Sequence, residues 1–365
     1  MSLSTSFPII LGLETSCDET AAAVLGPEGR ILSSVLSTQH DVHRRFGGVV
    51  PELAARRHLE TVEAVVAEAM EEAAVECRNL HAVAVTCGPG LAGALLVGVS
   101  FGKALAYAWG IPLIAVNHLE GHMASAWIDS PGFPTPCVVL VVSGGHTHLY
   151  LMEKSGSYRL LGKTLDDAAG EAFDKAAKML GLGFPGGPAV DREACHGNPE
   201  AVRFPRACLK KGMLDFSFSG LKTALLYHLQ DLDRAGRPRP VQDLAASFQE
   251  AIVEVLVEKA FRAVHRYGVK ALAVVGGVSA NTRLRKLLAM RAAAEDIELA
   301  IPRAVYCTDN AAMIASAGRQ AYLSGRFTSW GLEAMPELSL ASPHASPEVS
   351  LQKTTSSGLG YTRRR

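Results

Sequence analysis

The chain has 365 residues, 48% of them hydrophobic, with 36 basic side chains against 36 acidic ones. That length suits roughly two domains with real cores, and the charge balance excludes a global field drawing the protein onto nucleic acid or membrane, so any nucleic-acid contact rests on local patches. The seven scattered cysteines include no C-x-x-C pair, so neither a disulfide framework nor a cysteine zinc site is indicated, which fits a reducing cytosol.

Residues 1–8 lack a signal-peptide pattern, and no uncharged apolar run reaches the length of a membrane span, so a cytoplasmic, membrane-free protein is expected. Residues 9–13 read as a strand, 14–19 as a polar loop and 20–25 as the return strand. An Ala/Glu-rich helix follows over 51–74. Residues 82–86 form a strand leading through a glycine turn (88–93) into a helix that ends near Trp109. The same order then recurs. A strand at 137–142, a loop at 143–147 and a return strand at 148–152 make the second hairpin. A strand at 271–275, a turn at 276–281 and a helix to about Ala294 make the second strand-turn-helix. Helices are also expected over 166–180, opened by Asp166 and Asp167 and ended by Gly181, over 241–267, and from Thr308 or Asp309 to about Leu323. The repetition predicts a duplicated α/β fold, with lobes at 1–130 and 131–335 and an insertion in the second at about 155–241. Residues 336–365 turn Ser-, Pro- and Thr-rich and read as a disordered tail.

The stretch Asn117-His118-Leu119-Glu120-Gly121-His122 carries the most chemistry. Its two imidazoles are four residues apart, which on a helix puts both on one face. Such a pair can share a divalent metal. Zinc-protease helices have the same histidine spacing but place their Glu directly after the first His; here Leu119 stands there, and Glu120 comes one residue late. The alternative is two half-buried histidines with ordinary hydrogen bonds. Asp309 reads either as a plain helix cap or as the carboxylate completing a two-His-one-carboxylate site. Glycine loops at 143–145, 181–187 and 276–277 suit close approach of backbone N–H groups to an anion, although none is a Walker A or dinucleotide fingerprint. Repeated in both halves, they suggest a nucleotide held between two domains. Asp174, beside Lys175, reads on pattern alone as a solvated helix charge.

Seven motifs, in order, resemble one family: ETSCDET at 14–20, GPGL at 88–91, NHLEGH at 117–122, VSGGHT at 142–147, DFSFSG at 215–220, GGVSAN at 276–281 and CTDN at 307–310. It is the universal tRNA threonylcarbamoyl-adenosine transferase family (TsaD in bacteria, formerly labelled O-sialoglycoprotein endopeptidase), and the likeness runs from about Ile9 to Leu323. His146 after Ser-Gly-Gly makes the bacterial form the closer match. The resemblance implies an actin-like (ASKHA) fold of two ribonuclease-H-like lobes. It implies that His118, His122 and Asp309 bind one metal ion, iron foremost or zinc. It implies that Val141, Val142, Ser143, Gly144, Gly145, Asp174, Gly187, Asp191 and Asn281 hold the nucleotide-like substrate. The implied reaction moves threonylcarbamoyl from its adenylate, threonylcarbamoyl-AMP, to the adenosine 3′ of the anticodon in tRNAs reading ANN codons. The implied partners are tRNA, a paralogous actin-like protein (TsaB type) and a small ATPase (TsaE type).

Other readings stay open at this level. An actin-like small-molecule kinase fits the duplication, but its first loop ordinarily carries Asp-x-Gly-x-Thr, where this chain has Glu14 and no glycine. A metalloprotease and a non-catalytic scaffold are the remaining alternatives. Candidate tRNA phosphate contacts are Arg44-Arg45, Arg56-Arg57, Arg203, Arg206, Lys210-Lys211, Arg283, Arg285 and Lys286.

Overall fold

The computed structural model describes residues 8–340 apart from 45, 47 and 208–211. Two five-stranded sheets organise it. The first contains β1 (Ile10–Glu14), β2 (Glu19–Leu25), β3 (Ile31–Thr38), β4 (Ala82–Gly88) and β5 (Leu113–Asn117), in the order β3-β2-β1-β4-β5. The second contains β6 (Cys137–Val142), β7 (Thr147–Lys154), β8 (Ser157–Lys163), β9 (Ala271–Val275) and β10 (Glu298–Ala300), in the order β10-β9-β6-β7-β8. Read from opposite ends the two orders are identical: an antiparallel three-strand meander, then two parallel strands. Ile10 lies opposite Leu25 in the first hairpin, and Cys137 opposite Met152 in the second. Parallel strands need long crossovers, and helices supply them.

The helices are α1 (His40–Arg44), α2 (Pro51–Glu72), α3 (Ala92–Trp109), α4 (His118–Ser125), α5 (Ala169–Leu180), α6 (Gly186–Ala194), α7 (Ser219–Arg234), α8 (Val241–Tyr267), α9 (Thr282–Glu295) and α10 (Ala311–Leu323). Helix α3 is long and apolar enough to cross a membrane by length and composition. Here it packs with α2 over the first sheet, sending Val99 and Ala106 into a core with Leu11, Leu13, Val83 and Val85.

Strand periodicity decides what each face meets. Leu11 and Leu13 turn to α2 and α3, whereas Ile10, Ala82 and Ala84 turn to α10. In the second sheet Val138, Leu140 and Val142 face α5, α7 and α8, whereas Val139, Val141 and Val275 face Leu119 and Met123 of α4. Both sheets are thus covered on both faces, which is why their central strands are nearly all apolar.

Three boundaries differ from the sequence reading. Strand β8 pairs with β7 as β3 pairs with β2, so it belongs to the duplicated unit; the extra material of the second half is the α5–α7 region rather than everything from about 155. Helix α10, expected with the second lobe, lies on the first sheet. Gly12 permits this, because a Cβ there would strike the Ala311 carbonyl and lie 2.7 Å from Ala315 N. Residues 336–340, expected in the tail, are held: Gly90 N–H donates to the Pro336 carbonyl at 3.1 Å and Leu340 is buried. The rest of that tail, 341–365, lies outside the described residues.

Candidate metal centre and glycine-rich loops

Strand β5 ends at Asn117, whose side-chain oxygen accepts from Leu119 N–H at 2.9 Å and starts α4 at His118. A side-chain cap of this kind satisfies an otherwise orphaned helical donor. The helix turns His118 and His122 to the same side, with ring centroids 4.6 Å apart. Asn310, not Asp309, caps α10, accepting from Met313 N–H at 2.9 Å. Asp309 is therefore released from the capping role and points at the imidazoles. Its Oδ1 lies 3.4 Å from His118 Nε2 and 3.2 Å from His122 Nε2, and one donor atom from each of the three residues falls within 4.8 Å of the others. The three residues expected as metal ligands thus converge although almost two hundred positions separate His122 from Asp309.

The electrostatics are tightly linked. Burial opposes charge on Asp309, but the neighbouring His118 outweighs it and holds the carboxyl well below its ordinary value. Burial likewise opposes protonation of His118, yet Asp309 and then Glu14 win and raise it well above the usual histidine range. His122 differs. It is wholly buried and, among the described residues, neither ring nitrogen has a hydrogen-bond partner. The contact with Asp309 is close but lacks hydrogen-bond geometry. A buried, unpaired polar group costs about 1–3 kcal/mol, so this ring is costly unless something else takes its lone pair. Two imidazoles and a carboxylate with open positions fit a divalent cation.

Glu120 does not join them. Its Oε1 accepts from Tyr158 Oη at 3.2 Å and from Arg326 Nη2 at 3.3 Å, which removes the protease reading's general base. Glu14, which the sequence reading used only as a departure from kinase loops, stands behind His118, with Oε2 3.1 Å from Nδ1. Its signal was its place in the ETSCDET motif; spacing alone could not have paired it with a histidine 104 positions away. Burial, then the charges of Asp309 and Asp18, pushes Glu19 up to about 9.

The expected substrate-binding residues gather on the second lobe. Val141 and Val142 are buried at the end of β6. In the loop that follows, Ser143 Oγ accepts from His146 N–H at 3.2 Å, while Gly144 and Gly145 face open space. Burial, then the His148 charge, pushes the His146 imidazole down to about 3, so it is neutral. Gly170, at the start of α5, must be glycine for that loop to sit close, since a Cβ would come within 2.6 Å of the Ser143 carbonyl oxygen. Asp174 is partly buried rather than a solvated charge: its Oδ1 accepts from Gly186 N–H at 2.8 Å, at the start of the α6 turn containing Gly187. Burial raises its pKa against the pull of the Gly186 and Gly187 amides. Asp191 accepts from Thr282 N–H at 3.1 Å and Thr282 Oγ1 at 2.8 Å. Asn281 caps α9 through Leu284 N–H at 2.9 Å and donates to Gln249 Oε1 at 2.7 Å. These two side chains lock α9 to α6 and α8, next to the turn at 276–281. The loop 143–145, the α5 and α6 N-termini and that turn therefore adjoin.

Several candidate phosphate contacts are occupied. Arg283 forms a two-pronged pair with Glu250 at 2.7 Å, Arg206 pairs with Glu254 at 2.6 Å, Arg57 with Glu60 at 3.0 Å, and Arg285 donates to the Pro302 carbonyl at 2.5 Å. The Arg44 side chain, Arg45, Lys210 and Lys211 lie outside the described residues.

Two twinned sheets with a ligand cluster and glycine loops at their strand ends define an actin-like (ASKHA) protein, and solved structures agree. HypF from T. kodakarensis aligns at TM-score 0.57, 13% identity, over 88% of this chain and 48% of its own. Component A of the (R)-2-hydroxyglutaryl-CoA dehydratase of Acidaminococcus fermentans aligns at TM-score 0.51, 14% identity, over 87% of this chain and 99% of its own. Identity this low shows the fold alone. Sequence gives the family: the profile described as "TsaD: tRNA N6-adenosine threonylcarbamoyltransferase" matches residues 30–316. Relatives of that name from Anaeromyxobacter dehalogenans (strain 2CP-C) and Desulfitobacterium hafniense (strain Y51) are 57% and 51% identical, over 90% and 91% of this chain and 98% and 97% of theirs. The chain belongs to the tRNA N6-adenosine threonylcarbamoyltransferase family.

Proposed function

We propose that this protein transfers the threonylcarbamoyl group of threonylcarbamoyl-AMP to N6 of the adenosine 3′ of the anticodon in tRNAs reading ANN codons. The observation carrying the reading is the convergence of His118, His122 and Asp309, with His122 left without a hydrogen-bond partner, in a chain matched along nine-tenths of its length by relatives of that name.

The chemistry explains the parts. An exocyclic adenine amine is a weak nucleophile, because its lone pair is delocalised into the ring, so the acyl donor must be activated and well placed. The mixed anhydride with AMP provides the leaving group. His118, His122 and Asp309 would hold one divalent cation, Fe2+ first and Zn2+ second, and its chemistry there is that of a Lewis acid and template. The N–H groups of Gly144 and Gly145 and the α6 N-terminus at Gly187 would receive the phosphate. Val141, Val142, Ser143, Asp174, Asp191 and Asn281 would shape the adenylate's seat by fixing those loops. Holding donor and tRNA together is worth on the order of 7 kcal/mol in favourable cases.

Partners complete the reading: tRNA itself, a paralogous actin-like protein of TsaB type and a small ATPase of TsaE type, acting in the cytoplasm. Leu59 on α2 and Leu96 and Tyr107 on α3 are strongly exposed, and such exposed apolar side chains suit contact with the protein partner. The test combines the protein, such partners, unmodified tRNA and threonylcarbamoyl-AMP, then weighs the digested nucleosides. A mass gain on adenosine that disappears in Asp309→Ala supports the proposal. No gain in a mixture where a relative works overturns it.

A further inference from the structure

The two histidines of the candidate centre are held in different ways. His122 has packing and its 3.2 Å contact with Asp309, whereas His118 is also braced from behind. Glu14, at the end of β1, is fully buried and its carboxylate has three polar contacts. Oε1 accepts from Ser16 N–H at 2.5 Å, Oε2 accepts from Thr86 Oγ1 of β4 at 2.7 Å, and the same Oε2 lies 3.1 Å from His118 Nδ1. Ser16 Oγ is a further 3.1 Å neighbour of Nδ1.

We infer that Glu14 is a positioning residue for the metal centre: it accepts the Nδ1 proton of His118 and so fixes the tautomer whose Nε2 lone pair faces Asp309 and the cation. A metal-ligating imidazole commonly donates from its second nitrogen, and of the two rings only His118 has such a partner among the described residues; the hydrogen bond selects the tautomer, orients the ring and raises its basicity. The surrounding donors are what keep an acidic oxygen available there. Ser16 N–H and Thr86 O–H both donate, so the carboxylate is satisfied as an anion and can only accept from His118. The first loop thereby gains a use that the kinase comparison did not give it. Its carboxylate is turned inward onto a histidine instead of outward to a nucleotide.

Glutamine at this position inverts the arrangement. Its amide nitrogen donates, the Thr86 hydroxyl rotates to accept, and His118 is driven to carry its proton on Nε2, the atom that must be bare. The change is nearly isosteric, so packing around β1 is retained.

This inference rests on the metal reading, and the experiment separates the two. Metal-stripped wild type, Glu14→Gln, Thr86→Val and His122→Ala are titrated with Co2+ and with Zn2+ against a competing chelator, with thermal melts to confirm folding. The expected result is binding weakened about 10–100-fold in Glu14→Gln, a smaller loss in Thr86→Val, and loss of the site in His122→Ala. The visible Co2+ spectrum at saturation should keep the wild-type band positions in Glu14→Gln, because the ligand set is unchanged. Wild-type affinity in both Glu14→Gln and Thr86→Val, with His122→Ala still defective, overturns the role of Glu14 and leaves the metal reading standing. Absence of binding by wild type overturns both. If Glu14→Gln does not fold, Thr86→Val alone decides: wild-type affinity refutes the inference. A shifted Co2+ spectrum in Glu14→Gln would refute it too, by making Glu14 a ligand.

Discussion

Replacing His122 by leucine should make the metal-free protein more stable. An imidazole has two ring nitrogens with hydrogen-bonding capacity, and among the described residues both are buried without a hydrogen-bond partner, Nε2 having only the 3.2 Å contact with Asp309 Oδ1. Each such group costs about 1–3 kcal/mol, so relief of the pair is worth about 2–6 kcal/mol. Against this stands repacking of a similar volume, about 1.5 kcal/mol or less. Asp309 also loses a neighbour, but its side chain is 23% exposed and water can replace the contact. The net expectation is a gain of about 0.5–4.5 kcal/mol, with each kcal/mol worth about 1–2 °C in melting temperature for a chain of this length. Metal should reverse the order. Wild type at a hundredfold excess over Kd gains about 2.7 kcal/mol, and the variant, lacking a ligand, gains far less. Thermal melts with chelator and with added Zn2+ give the assay. A stripped variant that melts below stripped wild type, with a gap indifferent to metal, would refute the reasoning about the orphaned ring.

Three further outcomes follow from neighbouring geometry. Gly121→Ala places a Cβ 2.6 Å from Ile314 Cδ1, the far end of a side chain that can turn aside, so overpacking should cost no more than about 1 kcal/mol and leave metal affinity nearly unchanged, read by denaturation and Co2+ titration; a loss of metal binding would show that the α4–α10 spacing is set there. Asp166→Ala removes the acceptor of Phe218 N–H at 2.8 Å and Ser219 N–H at 3.2 Å and should cost about 0.5–2 kcal/mol, as loss of a helix cap does, measured by urea unfolding. Asp167 is disfavoured as an anion by burial, but hydrogen bonds from Lys175 and Lys222 win and lower its pKa. A lowered folded value means stability that is present above the unfolded value of about 3.9 and lost as pH falls through the folded one. Wild type should therefore lose more stability than Asp167→Asn on acidification below about pH 5, and parallel losses would count against the assignment.

The local chemistry was legible and the distant contacts were not. Short apolar runs bounded by polar or glycine turns marked β1, β2, β6, β7 and β9 to within about two residues, and Gly268 marked the end of α8. The i, i+4 histidines told their own story, because four residues is one helical turn. What brings Asp309 to them is a tertiary matter: Gly12, Gly121 and the alanines of α10 have no side chains to hold the helix away, and nothing in spacing says which sheet it will lie on. The same limit misplaced Asp166. Its neighbours in sequence suggested the cap of α5, yet it starts α7 by accepting from residues some fifty positions on. Asp191 and Asn281 matched motif positions, but only packing shows that each anchors α9.

Helix α4 has all eight of its residues buried, and that bears on hydrogen exchange. A helix with no wet side cannot fray into solvent, so its amides exchange only through larger openings. The backbone under His118 and His122 should be among the last parts of the chain to take up deuterium, and a bound cation should retard it further. The coordinating end of the molecule would then be its kinetic strongpoint, leaving the glycine loops of the other lobe to do the yielding.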